Sequence, residues 1–396
     1  MANSYLPLEG VRVIEMSHMI MGPSCGMFLA FLGAEVIKVE PPEGDKTRHL
    51  TGMGRGFFPT FNRGKKSITL DLKSDEGLDA LYRLLATADV FVENFRDQSL
   101  SKMGCAPEVL REKYPSLIVA SCKGFLRGPY EDRTAMDEVV QMMTGMAYMT
   151  GPTGRPLRIG SSANDIMAGL FGALSVLGAL LQREKDGSGH AIRIGLFENC
   201  LLLVAQHMVQ FDLEGREAPP MPEREFSWPV YDIFETGDGK KIFIGAVTEG
   251  QWKILCDILG LHVLKADPRL QRRMDQIEAR EWTIPLVARA VSGAQSKALM
   301  EELEKSGIPF SSINRPAEMY LDPHVNREGG LLKSALPEGG NYRAPGLPFE
   351  VDGQSVGGFT IDLPAIGKDT KEILSSLGIS KKVIQTASGQ NREHVA

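Results

Sequence analysis

Short apolar runs alternate with amphipathic segments over the first third of the 396-residue chain. The runs are rich in Val and Ile and have the length of buried strands, which predicts strands at residues 11–16, 34–40, 67–72, 89–95 and 117–121. Helices are predicted between them at residues 25–32, 75–86 and 107–113. This alternation is typical of a doubly wound, mostly parallel α/β sheet, in which ligands bind beyond the carboxyl ends of the strands.

A longer apolar segment follows, and its large side chains recur at the spacing of one helix face. These side chains are Ile166, Leu170, Leu174, Leu177 and Leu181. Gly and Ala residues between them allow another backbone to pack closely. The apolar stretch at residues 166–181 is shorter than the roughly 20 residues of a membrane span, which favours a buried core helix.

Asp165 stands at the beginning of this helix. The positive end of the helix dipole and the unpaired N–H groups there favour an ionised carboxylate, which suits a nucleophile at neutral pH. The alternative is that Asp165, or Asn164 beside it, only caps the helix. Local sequence favours the cap, because helix caps far outnumber nucleophiles.

The remaining pattern predicts further elements and a division into domains. A strand at residues 190–196 and a helix at 197–213 precede a Pro-rich break at 218–222, and a hairpin is predicted at 230–235 and 241–247. Helices are predicted at residues 249–259, 276–291, 296–306, 370–377 and 381–386. We expect a large Rossmann-like domain at residues 1–200, a smaller α+β domain at 225–325, and a C-terminal segment at 326–396 that returns to the large domain.

Composition narrows the classes of function. The net charge of −6 and the sequence pI of about 5.8 argue against nucleic-acid and anionic-membrane binding. Five dispersed cysteines without a CxxC pair, and an N-terminus without a signal pattern, predict a cytoplasmic protein with reduced thiols. No metal site is predicted, because the histidines and cysteines lack ligand spacing. Neither a complete dinucleotide-binding glycine motif nor a complete P-loop is present.

Cations follow several of the predicted strands, namely Lys73, Arg96, Lys123 and Arg127. They can form a solvated basic rim, or they can bind one anionic ligand at the edge of the sheet. The residues alone therefore indicate an α/β enzyme for a phosphorylated ligand.

The chain resembles the class III (CaiB/BaiF-type) CoA-transferases, which include carnitine CoA-transferase, formyl-CoA:oxalate CoA-transferase and α-methylacyl-CoA racemase. The resemblance is dense over residues 8–200 and weaker beyond them. It rests on segments 8–15, 22–23, 32–40, 62–73, 89–96 and 123–125, and on Asp165 with 182–184 and 187–189.

The resemblance implies that Asp165 is the catalytic nucleophile, which forms aspartyl anhydride and aspartyl-CoA thioester intermediates. It implies that CoA is a substrate and not a permanently bound cofactor, with acyl-CoA and a small organic acid as partners and an interlocked homodimer as the assembly. Succinyl-CoA is a candidate donor. The implied CoA contacts are Ile20, Met21, Leu70, Lys73, Asn94, Phe95, Arg96, Lys102, Met103, Lys123 and Gly124.

Two alternatives remain open at the level of sequence. An acyl-CoA racemase or epimerase of this family uses a histidine where this chain has Met136, and methionine cannot exchange a proton. A CoA-binding protein without catalysis is the second alternative, against which the presence of Asp165 argues. Arg48, Arg55 and Arg158 are candidates to bind the second carboxylate of a dicarboxylic acceptor.

Overall fold

Six parallel strands form the central sheet of the computed structural model, in the order β3-β2-β1-β4-β5-β6. The prediction of a parallel α/β sheet is confirmed. The order reverses at β1, which pairs with β2 on one side and β4 on the other, so the switch point lies between β1 and β4. The strands are β1 (Arg12–Met16), β2 (Glu35–Glu40), β3 (Lys66–Thr69), β4 (Val90–Glu93), β5 (Ile118–Lys123) and β6 (Ala191–Gly195).

Helices connect these strands, as βαβ alternation requires. The first helix begins at Met21, four residues before the predicted start. Pro23 is tolerated within it, because a proline in the first turn of a helix removes no intrahelical hydrogen bond. The helices are α1 (Met21–Phe31), α2 (Phe57–Phe61), α3 (Asp75–Leu85), α4 (Asp97–Lys102), α5 (Pro107–Lys113), α6 (Asp137–Met143), α7 (Met146–Thr150), α8 (Ala163–Asp186) and α9 (Leu196–Glu214).

The structure describes residues 5–225, 228–356 and 361–389. The chain divides into two compact units, of which one comprises residues 1–222 and 323–396 and the other residues 223–322. The second unit is an antiparallel sheet of three strands with five α-helices among its described residues. It contains β7 (Val230–Glu235), β8 (Lys241–Ala246), α10 (Glu249–Ile258), α11 (His262–Ala266), α12 (Arg273–Glu278), α13 (Arg280–Ser292), α14 (Ser296–Lys305) and β9 (Phe310–Ser312).

One element of this second unit differs from the prediction. The single helix expected at residues 276–291 is two helices, α12 and α13, which meet at Ala279. The amide of Trp282 donates to the Ala279 carbonyl, the short bond of a tighter turn. No glycine or proline marks the break, so the apolar periodicity runs through it and conceals it.

The C-terminal part of the first unit covers the edge of the main sheet that β3 forms. At that edge the Ser67 amide donates to the Asp369 carboxylate at 2.8 Å, and the Asp369 amide donates to the Ser67 carbonyl at 2.9 Å. An edge strand covered in this way cannot pair with another chain. The elements are β10 (Leu331–Ala335), β11 (Asn341–Pro345), β12 (Glu350–Val351), β13 (Gln354–Ser355), α15 (Thr370–Ser376) and α16 (Lys381–Ala387).

Helix α8 packs closely against α1 through its small residues, as predicted, but three of the large side chains on its apolar face are open. Gly169 and Gly172 lie against α1, whereas Leu170, Leu174 and Leu181 are 51%, 58% and 62% exposed. By length and composition α8 is long and apolar enough to cross a membrane, although the core helix of a globular domain meets the same criterion. Its leucine face is therefore an apolar surface left open in the single chain.

We expect opposite effects from adding a methyl group at two glycines of α8. A Cβ at Gly169 would lie 1.9 Å from Ser24 Oγ and 2.6 Å from the Met21 carbonyl oxygen, so Gly169→Ala should lower the free energy of unfolding by about 1–3 kcal/mol. Gly178 has nothing within 4 Å, so Gly178→Ala should raise it by about 0.5–1 kcal/mol. Urea unfolding of both variants measures the difference, and equal effects would refute the close α1–α8 contact.

Candidate functional site

A cavity of about 390 Å³ opens at the carboxyl ends of β4 and β5, beside the loop that follows β1. It brings together five of the eleven predicted CoA contacts: Asn94, Phe95, Arg96, Lys123 and Gly124. Its other lining residues are His18, Asp97, Gln98, Ser99, Cys122, Glu131, Asp132, Arg133, Thr134, Ala135 and Arg193. The cavity lies where the switch point of a doubly wound sheet is expected to bind a ligand.

The loops that follow β1 and β4 are fastened to each other across this switch point. The amide of His18 donates to Asn94 Oδ1 at 3.0 Å, and Asn94 Nδ2 donates to the His18 carbonyl at 2.8 Å. The rings of His18 and Phe95 meet edge to face with their centroids 5.7 Å apart. Burial lowers the pKa of His18, so its ring is neutral at pH 7 and offers an uncharged wall.

Backbone geometry confirms that the loop after β1 is constrained. Met19 adopts a left-handed conformation with φ of 64°, which is uncommon for a residue other than glycine and recurs at functional sites. Ile20 and Met21 follow at the start of α1 with side chains 2% and 6% exposed. Neither residue lines the cavity, so contacts of their backbone with CoA stay a prediction.

The cations near the cavity differ in how far the protein already balances their charge. Lys123 is the last residue of β5, and its ammonium pairs with Glu93 and Asp97, both at 2.9 Å. These two carboxylates largely neutralise the charge of Lys123. Lys123 is therefore a weaker phosphate ligand than its position at a strand end predicts. Arg96 is exposed and donates to Thr134 Oγ1 at 3.2 Å.

Arg133 is a second cation at the cavity that sequence reasoning missed, because no predicted strand ends before it. Its guanidinium lies 4.8 Å from the ring centroid of Tyr130, which fixes the planar group without neutralising it. In the described chain neither Arg96 nor Arg133 forms an ion pair within 4 Å. These two arginines are the cations best placed to meet phosphate charge.

Six predicted contacts lie outside the cavity: Ile20 and Met21 at the start of α1, and four others. Leu70 is buried just after β3, and Lys73 is exposed three residues later with its amide bonded to Asp71. Lys102 ends α4 and is exposed, whereas Met103 accepts a hydrogen bond from Tyr82 through its carbonyl. All four follow strands of the same sheet, and their role as CoA contacts stays a prediction.

Asp165 is the third residue of α8, and Ser162 occupies the N-cap position. Asn164 does not cap the helix either, because its side chain bonds to α9: it donates to the Leu196 carbonyl at 3.3 Å and accepts from Asn199 at 2.6 Å. The side chain of Ser162 makes no capping hydrogen bond. The helix-cap interpretation of Asp165 is therefore wrong.

The ionisation of Asp165 also differs from the sequence expectation. Burial, and then the charge of Asp137, raise the pKa of Asp165 to about 7, while Arg158 acts in the opposite direction. A helix N-terminus stabilises a carboxylate by about 0.3–1 kcal/mol, which is too little to offset loss of hydration beside a like charge. Asp165 is thus partly protonated at neutral pH.

Asp137, the neighbour that raises this pKa, was not identified from the sequence. It is the first residue of α6, is 8% exposed, and accepts hydrogen bonds from Gln141 at 2.8 Å and Arg158 at 3.3 Å. The backbone N–H of Asp165 stabilises its charge as well. Ala135, two residues earlier, lines the cavity, whereas Asp137 and Asp165 are not among its lining residues.

The three arginines considered for an acceptor carboxylate are not equally available. Arg48 pairs with Glu40 at 2.6 Å and its guanidinium lies 3.8 Å from the ring centroid of Phe58. Arg158 is held by Asp137. Arg55 is exposed in a short 3₁₀ turn before α2, whose Phe57 packs in one cluster with Ile166, the neighbour of Asp165.

Over residues 5–225, 228–356 and 361–389, no group of three or more His, Cys, Asp or Glu side chains could hold a metal ion. The five cysteines are free and buried.

Comparisons with known proteins give one consistent family. A family model described as CoA-transferase family III matches residues 8–370. Succinate–glutarate CoA-transferase of Agrobacterium fabrum is 32% identical over 342 residues, which cover 83% of this chain and 85% of the relative. Succinyl-CoA–D-citramalate CoA-transferase of Chloroflexus aurantiacus is 32% identical over 382 residues, or 94% of each chain.

A solved structure agrees with these sequence relatives. The crystal structure of a CaiB/BaiF family protein from Brucella suis matches with a TM-score of 0.83 and 30% identity, over 94% of this chain and 100% of that chain. The family model covers most of the chain, and the fold matches along nearly its whole length. The chain therefore belongs to CoA-transferase family III.

Proposed function

We propose that this protein moves CoA from an acyl-CoA donor to a carboxylic acid, with Asp165 as the nucleophile. The observation that carries the proposal is a half-buried carboxylate whose pKa is raised by burial and by the charge of Asp137. Ala135, two residues before Asp137, lines a cavity in which Arg96 and Arg133 form no ion pair within the described chain. A carboxylate of higher pKa is a better nucleophile when it is ionised, and at pH 7 a substantial fraction is ionised.

The proposed sequence consists of acyl transfers that need no redox step or metal. An Asp165 oxygen attacks the carbonyl carbon of the donor thioester. The C–S bond breaks, CoA thiolate departs, and a mixed anhydride of Asp165 and the donor acid forms. The thiolate then attacks the Asp165 carbonyl, which releases the donor acid and forms an aspartyl-CoA thioester. The acceptor carboxylate displaces the thiolate to give a second anhydride, and thiolate attack on the acceptor carbonyl yields the new acyl-CoA and free Asp165.

The burial that raises the pKa of Asp165 serves this chemistry in a second way. Anhydrides and thioesters are hydrolysed by water, so the nucleophile needs a poorly hydrated site. Ile166, next to Asp165, packs with Ile20, Phe31 and Phe61, which form an apolar floor beside the carboxylate.

We assign a dicarboxylic acid as the acceptor class, with succinyl-CoA as a candidate donor. The names of both relatives contain dicarboxylic acids, namely succinate with glutarate and succinyl-CoA with D-citramalate. Arg55 supports this assignment, because it is exposed and, within the described chain, forms no ion pair within 4 Å. Phe57, two residues after it, packs in one cluster with Ile166. A guanidinium binds a second carboxylate in a bidentate manner.

We also propose that the working assembly is a homodimer of interlocked chains. The leucine face of α8 is open, and Phe211 and Leu213 of α9 are 52% and 79% exposed. Monomeric proteins rarely leave apolar surface of this extent uncovered, and a second copy would bury it. Sedimentation equilibrium should give the mass of two chains, and a monomer at micromolar concentration would exclude this assembly.

An acyl-CoA racemase remains the less favoured function. Met136 precedes α6 and is 64% exposed, and its thioether cannot exchange a proton. Asp137 does not replace the missing base, because Gln141 and Arg158 already hold its carboxylate. Appearance of solvent deuterium at the α-carbon of an acyl-CoA would favour the racemase.

The test of the proposed function is an assay of donor and acceptor pairs. Purified protein is incubated with succinyl-CoA and a panel of mono- and dicarboxylic acids, and new acyl-CoA thioesters are measured by mass spectrometry. We expect transfer to five- and six-carbon dicarboxylic acids, at rates at least about tenfold above those for monocarboxylic acids of equal length. Formation of free succinate and CoA alone, with every acid, would contradict the proposal.

A further inference from the structure

The proposed reaction assigns no role to Asp137, the carboxylate that is paired with Asp165. We propose that Asp137 is a positioning residue that fixes the segment leading into α8 and keeps Asp165 electron-rich. The inference rests on the proposed function for its kinetic part only, because the state of Asp165 can be measured without turnover.

Asp137 holds the segment before α8 mechanically, through hydrogen bonds. Asp137 receives Gln141 Nε2 and an Arg158 guanidinium nitrogen on the same oxygen, and Gln141 Oε1 in turn accepts the Ile159 amide at 2.9 Å. Arg158 also donates to the carbonyls of Ile159 and Ser161, both at 3.1 Å. The segment that ends at the first residue of α8 is therefore tied at several points to one carboxylate on α6.

Asp137 also acts on Asp165 through its charge. Two charged groups act on Asp165 in the part of the chain that is described: Asp137 from α6 and Arg158 from the segment before α8. Helix α9 contributes to this end of α8 the neutral amide of Asn199. Glu138, the next residue of α6, lies 3.7 Å from Arg158 and faces solvent. The balance of one near anion against one near cation therefore sets how readily Asp165 accepts a proton.

This arrangement predicts shifts of opposite sign from two substitutions. Asp137→Asn keeps the shape and an acceptor oxygen but removes the negative charge, so Asp165 should lose its proton at lower pH, by about one unit. Arg158→Gln removes the positive charge, so Asp165 should lose its proton at higher pH. Glu138→Gln is the matched control, because it changes an exposed acid beside Arg158, and it should leave the midpoint unchanged.

The first readout needs no activity. A water-soluble carbodiimide with an amine couples to protonated carboxyl groups, and peptide mass spectrometry reports labelling of residue 165 across about pH 5 to 9. The wild-type midpoint is expected at about 7, with displacement downward in Asp137→Asn and upward in Arg158→Gln. An unchanged midpoint in both variants would overturn the proposal even if the protein proved to have another function.

The second readout separates positioning from general damage. If transfer is assayed over the same pH range, the acidic limb of kcat should move with the labelling midpoint, and the plateau of Asp137→Asn should fall about tenfold. A merely structural role would lower activity at every pH with an unmoved limb, and that result would also overturn the proposal. If Asp137→Asn does not fold, Arg158→Gln carries the same test with the opposite sign.

Discussion

Replacing Asp165 by alanine is expected to lower kcat for CoA transfer by at least about 10⁴-fold, with little change in CoA affinity. The loss should be large because the carboxylate forms the covalent intermediates and no neighbour can take its place. Asp137 is held by Gln141 and Arg158. Binding should persist because the cavity at β4 and β5 is built from other residues. Steady-state kinetics and calorimetric titration with CoA measure the two quantities.

The control for this prediction is an aspartate on the same helix. Asp186 is the last residue of α8, is exposed, and accepts hydrogen bonds from Gln182 and Ser188. Asp186→Ala should keep kcat within about twofold of the wild-type value. Near-normal transfer by Asp165→Ala, or equal losses in the two variants, would contradict the assigned role.

The second large effect is expected on stability, from a buried cluster of charges beneath the sheet's ligand edge. Lys65 pairs with Glu15 at 2.6 Å, with both side chains fully buried, and Lys38 reaches the other oxygen of Glu15 at 3.3 Å. Lys65→Met removes one cation and leaves a buried carboxylate oxygen without it. Removing one partner of a buried pair typically costs about 3–5 kcal/mol, and we expect that loss in the free energy of unfolding.

The adjacent residue supplies a control with the same geometry at the surface. Lys66 pairs with Glu35 also at 2.6 Å, but these side chains are 44% and 31% exposed. Lys66→Met should therefore cost less than about 1 kcal/mol. Urea unfolding at equal protein concentration compares the two variants. Equal losses would mean that the ion pairs have the same value and that burial does not decide their strength.

The sheet could be predicted from the sequence because its strands are buried on both faces. A parallel strand covered by helices reads as a continuous apolar run, as at Val13–Ile14 and at Val90–Val92, and such runs are distinct from amphipathic helices. The ends of β4 and β5 then located part of the cavity lining, since Asn94 and Phe95 follow β4 and Lys123 is the last residue of β5.

The remaining features of the site could not be predicted in this way. Arg133 and Asp137 come from a segment without apolar periodicity, and only long-range folding brings Arg133 to the strand ends and Asp137 to Asp165. The pKa of Asp165 depends on burial and on Asp137, neither of which is visible in the residues around position 165. The open leucines of α8 could not be predicted for a related reason, because large apolar residues usually face the core of a single chain.

The most direct test of the central claim is chemical trapping of Asp165 during turnover. The protein is incubated with succinyl-CoA and hydroxylamine, digested, and analysed by peptide mass spectrometry, with Asp165→Ala as the blank. The account predicts a hydroxamate at residue 165, because an anhydride or thioester at that carboxyl reacts with hydroxylamine whereas the free carboxylate does not. Continued CoA transfer to the acceptor acid with residue 165 unmodified would contradict the account.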